Sequence, residues 1–381
     1  MSKLKNISLG KYGLVIALIL VVIFFGITTR GTLFNAMNVS NIFMQNAYLI
    51  ILSISMFFCL STGCVDLSVA SFVLFSGAFF GFLSVTNHIS LGISLLALFA
   101  SALVLGVAQG FTIAYLNVPP FIATLGFELL IKGMAIAISG GQTLGPFPKA
   151  IQFLGGAFLT TKARVFGLDA ICLAAFVLFV IVQVVGEIKK RAKRKHYGFP
   201  VASVPATIVR IAFICLTVGF VLLRFSQHNG MPFILVILVC LVVVYSYLST
   251  RTAFGRYVYA VGASRNAARL SGVNDKKVIM TVFINASLLS TFAGLVVAGR
   301  LNAATMTAGV GYELEAIAAV SIGGGSSTGI FGAFCGAAIM AIVINGMNVL
   351  GMAADMQKVA KGLILLLAVL FDMYSKKRSK D

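Results

Sequence analysis

Only a few residues in this chain carry groups able to do chemistry, and their spacing limits what that chemistry can be. Glu128 and Lys132 stand four residues apart, so on a helix they share one face and can neutralise each other. The other reading of that pair is a proton or ion relay. Asp66 lies at a break, Gly63-Cys64-Val65-Asp66-Leu67-Ser68, where a carboxylate caps the positive end of the helix that follows; a cation site is the alternative. Glu313 and Glu315 complete the carboxylates that an ion-coupled mechanism could use.

Catalysis finds little support. The three histidines, His88, His196 and His228, fall in predicted loops far apart in sequence. No Ser/His pair is placed within one apolar segment and no His-Glu-x-x-His occurs, which argues against a membrane hydrolase. The run from Gly323 to Gly329 (GGGSSTG) has the glycines of a phosphate loop but not its Gly-Lys-Ser/Thr ending. If the protein works by ATP, another chain supplies the ATPase.

Uncharged amides form a second set. Gln45 and Asn46 open one apolar segment, Gln109 lies late in another, Asn302 follows a third, and Asn345 and Asn348 are three apart in a fourth. Such groups can hydrogen-bond the hydroxyls of a polar solute, or one another between helices. Gln109, Asn302, Asn345 and Asn348 are the candidate pathway-lining residues.

The elements that must position these groups are membrane spans. Of the 381 residues 60% are hydrophobic and 10% charged, against about half and a quarter in a soluble domain. The apolar residues come in blocks of bilayer length. Eleven spans are expected, near 14–27, 42–61, 67–85, 91–116, 121–138, 168–185, 204–223, 232–248, 278–299, 331–350 and 359–374.

The net charge of +19 is not spread evenly. Nineteen of the 29 Lys and Arg fall in four clusters, at residues 3–11, 189–195, 251–277 and 376–380, each beside an apolar span. That is the pattern of cytoplasmic loops facing anionic headgroups, not of a nucleic-acid binder. Both termini therefore belong inside and the number of crossings is even. The twelfth is expected at 312–324, where a short helix covers about 20 Å of a roughly 30 Å core and must be buried among others or re-enter.

Six cysteines in or beside apolar spans, with no Cys-x-x-Cys, indicate neither disulfides nor a metal site. Gly77, Gly81, Gly332 and Gly336 make small-x-x-x-small steps suited to close helix packing. The loop 139–167 could dock an external partner or pack as a lid. The segment 186–205 reads as a basic insertion that anchors topology.

The polar island 250–277 reads differently. From Gly262 to Gly272 it runs GASRNAARLSG, a short helix bounded by glycines, with Arg265 and Arg269 on one face. It has the character of a cytoplasmic surface made to be gripped by another protein.

Six stretches together resemble the permease subunit of bacterial ABC importers for monosaccharides. They are GCVDLSVAS from Gly63, NVPPFIATL from Asn117, GGQTLGPFP from Gly140 and YAVGASRNAARLSG from Tyr259. RLNAATMTAGVGYELEAIAAVSIGG from Arg300 and NGMNVLG from Asn345 complete the set. The basic insertion and GGQTLGPFP are similar to the xylose and multiple-monosaccharide subgroup, not to the shorter ribose type.

The resemblance implies an all-α polytopic protein of the bacterial cell membrane, with a ten-helix pattern plus two and cytoplasmic termini. It implies no cofactor, no metal and no catalytic residues in a single permease domain spanning 1–381. Its partners would be a cytoplasmic ABC ATPase, an extracytoplasmic sugar-binding protein and a second permease copy. The coupling segment 250–277 would meet the ATPase through Gly262, Ala263, Arg265, Ala267, Ala268, Arg269, Leu270 and Gly272, with the two arginines able to pair with acids on that partner. Where the family implies an acidic residue, this chain has Ser264, Arg265 and Asn266. An ion-coupled secondary transporter is the rival reading.

Overall fold

A computed structural model describes residues 9–161, 163–165, 167–199, 201 and 203–378, with side chains from 13 to 370. The terminal clusters, with Lys3, Lys5, Lys11 and residues 376–380, lie outside the described side chains. The chain is helical almost throughout. It begins with α1 (Leu9–Thr28), α2 (Ala36–Gln45), α3 (Ala47–Ser61), α4 (Val69–Gly81), α5 (Leu91–Ala114), α6 (Pro120–Ser139) and α7 (Lys149–Gly156). Short strands β1 (Phe158–Leu159), β2 (Arg164–Val165) and β3 (Leu168–Asp169) precede α8 (Ala170–His196) and α9 (Val204–Gln227). Then come β4 (Met231–Pro232), α10 (Phe233–Arg251), α11 (Ala253–Ala263), α12 (Arg265–Leu270), α13 (Asp275–Leu301), α14 (Tyr312–Ile322), α15 (Gly329–Val349) and α16 (Ala354–Arg378).

Among the described residues nine helices are long and apolar enough to cross a membrane, counting α2 and α3 as one and extending α4 to Thr86. The remaining expected spans correspond to α1, whose apolar stretch is Gly13–Thr28, to the 11-residue α14, and to α16. Two connecting segments carry secondary structure of their own. The loop 139–167 contains the helix α7, and its last residues form the ribbon pairs β1–β4 and β2–β3. The basic run after 188 is no loop: α8 continues unbroken to His196, because Lys and Arg are good helix formers and no glycine or proline intervenes after Gly186.

The centre of the bundle is α3 and α13, flanked by α4, α5, α14 and α15. Every residue of α3 but Leu60 is buried. Close approach is set by small residues. A methyl group on Gly336 of α15 would stand 1.9 Å from the Ala319 carbonyl of α14, so these two helices touch backbone to backbone. Glu315, Ala316, Ala318, Ala319 and Val320 of α14 are buried despite the shortness of the helix.

The connector between α14 and α15 closes on itself, with Thr328 Oγ1 donating to the Gly323 carbonyl. Caps begin the helices where the sequence supplies them: Asn35 accepts from Met37 N, and Asp169 from Ile171 N and Cys172 N.

Contacts define two ends of the bundle. At one, Leu144 pairs with Ala304, Phe147 N donates to Asn302 Oδ1, and β1 pairs with β4. At the other, the turn after α3 meets α11 and α12, and the Lys276 ammonium lies over the Tyr115 ring.

Candidate functional site

The polar island 250–277 folds as two short helices and a capped turn. Thr252 starts α11 by accepting from Gly255 N. Ser264 breaks α11 from α12 with an extended backbone, and its hydroxyl accepts from Ala267 N at 3.3 Å. Gly272 ends the motif at φ 82°, a left-handed conformation that suits glycine.

The segment is seated on the C-terminal end of α3. A methyl on Gly262 would stand 1.8 Å from the Ser61 carbonyl, so any side chain there would push α11 away. Tyr259 meets Phe57 edge to face, and its hydroxyl lies 3.0 Å from Ser249 Oγ. Phe254 packs on Phe58.

Both arginines have partners within their own chain. Arg269 grips Asp275 with Nε and Nη2, each at 2.7 Å, a bidentate fork. That hydrogen bonding and the Asp275 charge hold the Arg269 guanidinium above its usual value. Arg265 Nη2 donates to Cys64 Sγ at 3.4 Å. Among the exposed residues, besides Arg269, are Ala263 at the end of α11 and Asn266, Ala267 and Leu270 on α12, the last at 91%, while Ala268 is buried. At helical spacing Asn266, Ala267 and Leu270 share one face of α12: small residues with a single apolar knob.

The four amides are not brought together. Gln109 is fully buried, donating to Asp66 Oδ1 at 3.0 Å and to Ser68 Oγ at 2.9 Å. Asn345 and Asn38 exchange two hydrogen bonds at 2.9 and 3.0 Å. Asn302, at positive φ after α13, accepts from Phe147 N, and Asn348 accepts from Gln357. Bonding within the chain is thus what these amides do in this structure.

The carboxylates separate likewise. Asp66 is buried two residues before the Ser68 N-cap of α4, and its Oδ1 accepts from both the amide and the hydroxyl of Ser68, while its Oδ2 has no partner. Glu128 and Lys132 are not within 4 Å of each other, so the expected pair does not form. Instead Glu315 forms a hub that sequence reasoning missed. Lys361 Nζ donates to its Oε1 at 2.6 Å, and Tyr48 Oη donates to its Oε2 at 2.6 Å. Tyr48 also stacks on Tyr312 at 3.7 Å. No local spacing links residues 48, 315 and 361; the one available signal was a lysine inside an apolar segment, which demands a counter-charge. Among the described residues no cluster of three His, Cys, Asp or Glu could hold a metal.

An α-helical bundle with buried polar contacts between helices and apolar outer faces is a multi-pass membrane protein. The chain belongs to the family described as branched-chain amino acid transport system / permease component, whose model matches residues 38–369.

It is 34% identical over 382 residues to the xylose transport system permease protein XylH of Haemophilus influenzae, covering 99% of this chain and 100% of that protein. The corresponding protein of Escherichia coli K12 is also 34% identical over 382 residues, with 99% and 95% covered. The ribose import permease protein RbsC of Escherichia coli K12 is 29% identical over 353 residues, with 91% and 88% covered. No solved structure matches the chain.

Proposed function

We propose that this chain is the membrane subunit of an ATP-driven importer and forms the pathway for a monosaccharide, xylose or a related aldose. The observation that carries this reading is the end-to-end similarity to xylose permeases, which includes the α8–α9 hairpin. The chain itself performs no chemistry; a separate ABC ATPase hydrolyses ATP, an extracytoplasmic binding protein delivers the sugar, and a second permease copy completes the pathway.

In this reading the chain crosses the bacterial inner membrane twelve times, with α14 as the short crossing and both termini cytoplasmic. The segment 250–277 and the basic residues near 186–205 face the cytoplasm. The ATPase grips the end of α11 and α12 through Ala263, Asn266, Ala267 and Leu270, an apolar knob on a small-residue face. Arg265 and Arg269 hold that face in position from behind. The internal partners of Glu315 and the hydrogen bonds from Ser68 and Gln109 to Asp66 leave an ion-coupled mechanism less to work with.

The test is uptake in proteoliposomes containing the permease, its ATPase and the binding protein. Labelled xylose uptake that requires ATP and ignores ion gradients is expected. Uptake of leucine in place of xylose would overturn the sugar assignment, and uptake that collapses with an ion gradient but survives without ATP would overturn the class. Ala267→Trp is expected to insert normally yet lose the ATPase in a pull-down; normal uptake in that variant would remove the coupling assignment.

A further inference from the structure

The helix α3 is tied at both ends, and the two ties reach different machinery. Its 15 residues make a rod about 22 Å long. At one end the backbone of Ser61 meets Gly262 with no room for a side chain, and Cys64, just beyond, takes the Arg265 guanidinium. At the other end the Tyr48 hydroxyl donates to Glu315 on α14, which Lys361 on α16 also grips. Between the ties α3 is buried against α13, α14 and α15, and a close-packed interior transmits displacement instead of absorbing it. The short helix α14 packs against α3 and α16 and along its glycine seam with α15.

We infer that α3 is the connecting rod between the segment 250–277 and α14, with Gly262 and Tyr48 as the positioning residues at its two ends. A push on α12 moves the C-terminal end of α3, and Tyr48 carries that movement to Glu315, shifting α14 against α16. This inference rests on reading 250–277 as the ATPase-facing segment, and the two fail in different experiments.

Tyr48→Phe keeps the ring that stacks on Tyr312 and removes only the hydroxyl. In the reconstituted transporter this variant is expected to retain the ATPase and to hydrolyse ATP, while sugar delivered per ATP falls about tenfold, the scale of one lost hydrogen bond to a charged group. Gly262→Ala is expected to uncouple in the same way from the opposite end. The double variant should be no worse than the weaker single one, because one broken rod cannot be broken twice. Glu315→Gln, which keeps an acceptor for Tyr48, should lose less coupling than Tyr48→Phe, and Gly262→Ala carries the test if Tyr48→Phe does not accumulate.

Unchanged sugar per ATP in Tyr48→Phe, or losses that multiply in the double variant, would overturn the inference. Loss of the ATPase from Ala267→Trp alone, with Tyr48→Phe fully coupled, would leave the coupling segment standing and remove the rod.

Discussion

The helices α3 and α8 are both apolar, yet they occupy opposite extremes of the molecule. All of α3 but Leu60 is buried, whereas in α8 only Cys172 is buried among the described side chains. Greasiness does not separate them. Between helices in lipid there is no hydrophobic gain from association, so packing, close backbone approach and polar contacts decide which helix goes inside. Accordingly α3 carries Tyr48, Ser53 and Ser55, and helix neighbours press glycines against the bundle centre, while α8 presents Val177, Leu178, Ile181 and Val182 outward.

This contrast can be broken first at a glycine. Gly336→Leu drives a side chain into the Ala319 carbonyl and is expected to abolish accumulation of folded protein in the membrane, read by fluorescence-detected size exclusion. The matched change at the periphery, Leu178→Ala, removes an exposed side chain and should leave the melting temperature within about 1–2 °C, since surface changes stay near ±0.5 kcal/mol.

The same contrast can be sharpened with charge. Glu315→Ala strands Lys361 beside Tyr48 and should cost about 3 kcal/mol, the low end of the ~3–5 kcal/mol for a broken buried pair, because the lysine retains some exposure. Glu187→Ala breaks the pair with Arg210 on the exposed α8–α9 hairpin and should cost about 0–1 kcal/mol in the same thermal assay.

The smallest effect concerns Asp169, which caps α8. Burial pushes its carboxyl up, but hydrogen bonds from Thr161 N, Thr160 Oγ1, Ile171 N and Cys172 N outweigh that and hold it below the ordinary aspartate value. A depressed folded value means its stabilisation is complete above the unfolded value and lost as pH falls through the folded one. Asp169→Asn should therefore lower stability slightly at neutral pH and flatten the acid limb below about pH 4, followed by thermal melts across pH.

Much of the architecture was legible because bilayer-length apolar blocks leave few alternatives. Even the short helices expected at 312–324 and within 262–272 announced themselves, through length and through the bounding Gly272, although the observed cap of the second is Ser264. What stayed hidden was pairing at long range. Nothing in the chain says that Asn38 will meet Asn345, 307 residues away, or that Tyr48 and Lys361 will converge on Glu315. The expectation for Glu128 and Lys132 failed for the opposite reason: shared spacing on one helix allows a pair without requiring it.

The unbroken run of α8 has a practical corollary. At 27 residues it is about 40 Å long, so its last turns stand some 10 Å clear of a roughly 30 Å hydrocarbon core, bristling with trypsin sites at 189–195. Sealed vesicles of known orientation, treated with protease from one face, would be clipped there into two pieces of nearly equal mass, and the face that permits the cut reports which way the whole molecule is threaded.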